Sequence, residues 1–160
     1  MGGVGWAARI VGLASGLCLV LSSSASALGI SLSAASVGSL APGTTATGLT
    51  SPIVVTGLLT DTWALRVSAA NTGHMVRSGL CTQGVSSLSS QLHVALSRTL
   101  STTTIDLASY DLGSSANPVI AHGSTPDTVN AVYSQSVAAS ETLVTGCAYS
   151  ATLTFTVASS

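Results

Sequence analysis

The chain has 160 residues, with four arginines, five acidic residues and no lysine, for a formal charge of −1. Its cations are scattered as Arg9, Arg66, Arg77 and Arg98. That excludes a nucleic-acid surface and a polybasic lipid site, which both need clustered positive charge to neutralise phosphates. Apolar residues make up 46% of the chain, too many for disorder at so low a net charge, so serine and threonine supply the solubility.

Residues 1–27 read as a secretory signal peptide. Arg9 precedes an apolar run over residues 10–21, and Ala25-Ser26-Ala27 offers a small-x-small cleavage site. The run is shorter than the roughly 20 residues that span a bilayer. Cys18 lies inside it and is expected to leave with the peptide. The mature part, 28–160, has the length of one domain, carries no further apolar span, and is expected outside the cell.

Along the mature part, short alternating segments recur between turn signals. Ile30 and Leu32 open it, and Val37 and Leu40 follow. Pro42-Gly43 marks a turn, and residues 53–56 form a short apolar strand. Next, Trp63, Leu65 and Val67 alternate with Ala64, Arg66 and Ser68, and residues 71–73 (Asn-Thr-Gly) suggest a turn. Residues 86–96 are the one serious helix candidate, although Leu92, Val94 and Leu96 alternate within them. Residues 103–108 form a weaker strand, and residues 124–127 contain a further turn at Pro126. Val129, Ala131 and Tyr133 alternate again. In residues 149–157 Tyr149, Ala151, Leu153, Phe155 and Val157 share one face, opposite Ser150 and three threonines. Antiparallel sheets with one wet face give this pattern, so the expected fold is a single all-β, immunoglobulin-like antiparallel sandwich.

Two cysteines remain after cleavage. In an exported chain Cys81 and Cys147 are expected to form a disulfide, worth about 4 kcal/mol in the chain-entropy model. Neither belongs to a CxxC or neighbours a histidine, so no metal site and no cofactor are expected. Nor is a catalytic residue assigned. His74, His93 and His122 are far apart in sequence, no serine sits in a GxSxG elbow, and His93 faces away from Leu92 and Val94 into solvent. Asp106 and Asp111 read as solvated loop carboxylates. Trp63 reads as a core anchor, with a sugar-stacking platform as the alternative. Tyr149 and Phe155 read the same way, with the Tyr149 hydroxyl at the rim, and Tyr110 and Tyr133 are candidates for exposed contacts.

Trp63-Ala64-Leu65, followed at the C-terminus by Tyr149 through Leu153 and Phe155 to Val157, resembles the two motifs of WxL-type bacterial surface domains, with Phe155 in place of the second tryptophan. The Gly/Thr-rich segment before Trp63 is similar to lead-ins of Gram-positive exported proteins. The resemblance implies an extracellular β-sandwich that associates non-covalently with the cell wall through peptidoglycan. Its partners would be wall polysaccharide or other surface proteins. The alternatives are a structural subunit of a surface layer or fibre that assembles through strand edges and, more remotely, a secreted hydrolase.

Overall fold

A period of two places every second side chain on one face of an extended chain, which lets an alternating sequence bury one face and wet the other. The computed structural model describes residues 6–11, 28–57, 62–78, 81–100, 103–113 and 119–159. Within them lie strands β1 (Trp6–Val11), β2 (Gly29–Leu32), β3 (Thr45–Thr47), β4 (Ser51–Thr56) and β5 (Thr62–Ala69). Then come β6 (His74–Ser78), β7 (Ser87–Gln91), β8 (His93–Leu100) and β9 (Thr103–Asp111). The last four are β10 (Val119–Ser124), β11 (Asp127–Ser136), β12 (Ala148–Ser150) and β13 (Thr152–Ser159). The fold is all-β and antiparallel, as the alternation predicts, with no α-helix among the described residues.

One sheet runs β1-β13-β5-β10. A second runs β2-β4-β11-β8-β9, with β3 beside β4 along the same long strand: β4 pairs with β11 over residues 127–131, and β3 over 134–136. A small third sheet, β12-β6-β7, closes one end. Trp63, Leu65 and Val67 of β5 and Leu153, Phe155 and Val157 of β13 supply the core from the first sheet. The second sheet answers with Ile53 and Val55, Val94 and Leu96, and Val129, Ala131 and Tyr133, all in one buried cluster.

Three expectations change in the structure. Residues 86–96 are not a helix but the whole of β7 and the start of β8. The two-residue period of Leu92, Val94 and Leu96 outweighs the four-residue spacing of Leu88 and Leu92, because β8 lies between β11 and β9 and buries one face. The backbone of Leu92 is held from both sides: its N–H donates to Gly73 O at 2.8 Å, and its carbonyl accepts from Leu112 N at 2.9 Å. Residues 149–157 are not one strand but two. Ala151 separates β12, in the small sheet, from β13, in the large one, so Tyr149 does not share a strand with Phe155. The strand expected at 103–108 extends to Asp111, which places that aspartate too on a strand rather than in a loop.

The turn between β5 and β6 is strained. Asn71 and Thr72 both have φ of 51°, in the left-handed region, and Gly73 follows at 81°. Residues 12–27, with Cys18 and the Ala25-Ser26-Ala27 site, lie outside the described residues. The other expected leader segment that is described, β1, lies antiparallel on β13, from Trp6 opposite Val157 to Val11 opposite Thr152.

Candidate functional site

The densest grouping of chemistry-bearing side chains sits on the outer face of β8 and β9. Val94 and Leu96 point inward from β8, so His93 points outward. Antiparallel register sets Asp111 of β9 directly opposite His93, and Ser109, two residues earlier, shares that outward face. His93 Nδ1 lies 2.9 Å from Asp111 Oδ1, and His93 Nε2 lies 2.9 Å from Ser109 Oγ. A carboxylate only accepts, so in a neutral ring Nδ1 carries the proton and Nε2 accepts from the serine hydroxyl. The order Ser, His, Asp is that of a hydrolase triad, in which the imidazole takes the serine proton and the carboxylate orients the ring.

The surroundings differ from those that make such a relay reactive. The imidazole is 38% exposed and the carboxylate 57% exposed, so water screens their attraction. An exposed pair of this kind contributes about 1 kcal/mol or less to stability. The sequence could not show this cluster, because Ser109 and His93 meet only through strand register. The expectation that His93 is solvated is met in part: it is exposed but bonded on both nitrogens. Asp111, expected as a solvated loop carboxylate, is exposed but pairs with His93.

Trp63 is fully buried. Arg98 of β8 lies 5.8 Å from its ring centroid and forms a two-point ion pair with Asp127, Nη2 to Oδ2 at 2.6 Å and Nε to Oδ1 at 3.1 Å. Gly123 of β10 leaves room for this stack: a Cβ there would come within 3.0 Å of the Trp63 ring and closer still to the guanidinium and the carboxylate. Leu65, Leu153 and Phe155 are also buried. Tyr149 is half-buried at the end of the sandwich, and its hydroxyl donates to Val85 O at 2.7 Å. The rings of Trp63 and Phe155 are therefore closed to a stacking sugar. Tyr133 is not an exposed contact, and Tyr110 is half-buried. Tyr133 is 5% exposed on the inner face of β11, and the Tyr110 hydroxyl is buried with no hydrogen-bond partner among the described residues. Burial raises the pKa of both phenols, and for Tyr133 the nearby Tyr110 adds to the shift.

A disulfide joins Cys81, after β6, to Cys147, before β12, with Cα atoms 5.7 Å apart. Around it the end of the molecule is pinned by backbone-directed side chains. Arg77 Nη1 donates to the carbonyls of Gln83 and Gly84 at 2.7 and 2.8 Å. The buried Glu141 carboxylate accepts from Ser89 N at 2.6 Å and from Ala138 N at 2.7 Å. Of the other histidines, His74 Nδ1 bonds Leu88 O at 2.8 Å, and His122 lies on β10. Among the described residues no three His, Cys, Asp or Glu side chains gather as a metal site. A shallow depression of about 380 Å³ lies beside Ser36, Thr47 and Leu49, whose side chain is 87% exposed. No protein-family model, curated protein or solved structure matches the chain.

Proposed function

We propose that the chain is an exported, non-enzymatic surface module of the WxL-like kind, held non-covalently at the cell wall. The observation that carries the export half is the Cys81–Cys147 disulfide, since such bonds persist in oxidising compartments outside the cytosol. The signal-like segment 1–27 and the lysine-free, hydroxyl-rich surface support the same address. The wall half rests on the motif resemblance. With Trp63 and Phe155 sealed inside, contact with polysaccharide falls to the wet faces of the sheets, where Thr152, Thr154 and Thr156 line β13. A pull-down of the oxidised protein with purified cell wall, across a salt series, tests this reading. Salt-resistant retention in the pellet is expected; recovery in the supernatant at every salt concentration overturns wall association.

The Ser109, His93 and Asp111 geometry favours a second reading, a secreted hydrolase acting through Ser109. A fluorophosphonate probe separates the two. The non-enzymatic reading expects no labelling. Labelling that disappears in Ser109→Ala, with the fold intact by circular dichroism, establishes the hydrolase instead.

A further inference from the structure

We propose that β13 is a docking edge for a second copy of this chain, covered by β1 until the N-terminal segment is removed. The inference rests on the export reading above. An end strand carries a row of unpaired backbone N–H and C=O groups that can template another strand. In the intact chain β1 takes those groups of β13 from Thr152 to Val157. Residues 6–11 belong to the segment read as a leader, so its removal makes β13 the end of its sheet, still paired on its other side with β5 from Leu153 to Ser159.

The uncovered edge is unguarded. β13 has eight residues, no charge and no proline, and pairs in unbroken register on both sides. Other sheet ends among the described residues carry protection. β9 bears Asp106 and Asp111, β10 shifts register between Val119 and Ala121, β2 has four residues, and β7 pairs irregularly with β6. Charges, bulges and short length are the usual devices that stop edge pairing.

The occupant follows from the pattern of β13 itself. An antiparallel pairing of two β13 strands about a two-fold axis at Phe155 sets Thr154 opposite Thr156 of the second copy, and Leu153 opposite Val157. Hydroxyl then meets hydroxyl on the wet face, and apolar meets apolar on the inner face, which is what favourable cross-strand pairing requires. The sheets join as β10-β5-β13-β13-β5-β10, and the two-fold axis closes the assembly as a dimer. Edge pairing adds little side-chain burial, so association is reversible and depends on concentration.

The test expresses the full chain with its own N-terminus in a secreting bacterium and measures the intact mass of the product. Sedimentation across a concentration series follows. Loss of residues 1–27 together with a mass rising to twice that of one chain is expected. A product that keeps residues 1–27 overturns the export reading and this inference with it. Loss of those residues with a monomer at every concentration overturns the docking edge alone. Two variants locate the contact. T154K/T156K sets lysine against lysine across the pair and is expected to give monomers with an unchanged circular dichroism spectrum. T154K/T156D sets opposite charges across the same pair and is expected to restore the dimer. A dimer in both variants, or a monomer in both, overturns the proposed register.

Discussion

Single side chains explain both what the alternation revealed and what it hid. Trp63 was legible as core because Leu65 and Val67 follow it at strict two-residue spacing. Tyr133 was misread as exposed although it continues the alternation of Val129 and Ala131, and it is buried on the inner face of β11; Tyr110 lies opposite Val94 on β9 and is half-buried. The Tyr110 hydroxyl, without a partner among the described residues, is a small defect, and Tyr110→Phe is expected to stabilise the protein by up to about 1 kcal/mol in urea titration. Both phenols have a pKa raised above the usual value near 10. Their neutral form is favoured only in the folded state, so the contribution is complete below about pH 10. It is lost as pH rises and the unfolded chain ionises first. Denaturation midpoints are expected to fall in alkali, and to fall less in Tyr133→Phe. Thr72, a β-branched residue at φ of 51°, is a second local cost. Thr72→Gly relieves it and is expected to raise stability by about 1 kcal/mol, measurable as a higher urea midpoint.

At the scale of elements, the strands were readable and their partners were not. Periodicity reports which face is buried, while the break at Ala151 and the division between β7 and β8 depend on which sheet each segment joins. The Ser109, His93 and Asp111 contact was invisible for the same reason, since it is made by register alone. The disulfide was readable from the cysteine count, but its setting was not. The loop from Val137 to Cys147 is tied down at Glu141, which accepts a backbone N–H from Ser89 of β7 and another from Ala138 within the loop. Glu141→Gln replaces one acceptor oxygen with a donor facing a donor, and is expected to cost about 1–3 kcal/mol by chemical denaturation. Reducing the disulfide is expected to cost about 4 kcal/mol. Hydrogen exchange should rise first in β6, β7 and β12, the strands nearest the bridge.

For the whole molecule, the central device is the seam where the two large sheets meet. The Arg98–Asp127 pair, packed against Trp63 beneath Gly123, ties β8 and β11 of one sheet to β5 and β10 of the other. Gly123→Ala drives a methyl group into that stack and is expected to cost about 1–3 kcal/mol, with a matching fall in thermal midpoint. The composition foretold the neutral, hydroxyl-rich exterior. It did not foretell which sheet end would be left open, because that depends on where β1 lies.

The placement of the arginines has a consequence for resistance to digestion. Trypsin-like proteases cut after lysine or arginine, and they need several residues of freely extended chain at the cut. This protein has no lysine, and beyond β1 its arginines are Arg66 within β5, Arg77 within β6 and Arg98 within β8. Every turn and loop between strands therefore lacks a cleavable bond for such an enzyme. Digestion must wait for a sheet to open, so its rate follows the population of opened molecules. Arg77 lies in the small sheet that the disulfide secures. Under reducing conditions the bond after Arg77 is expected to be the first cut in a timed tryptic digestion.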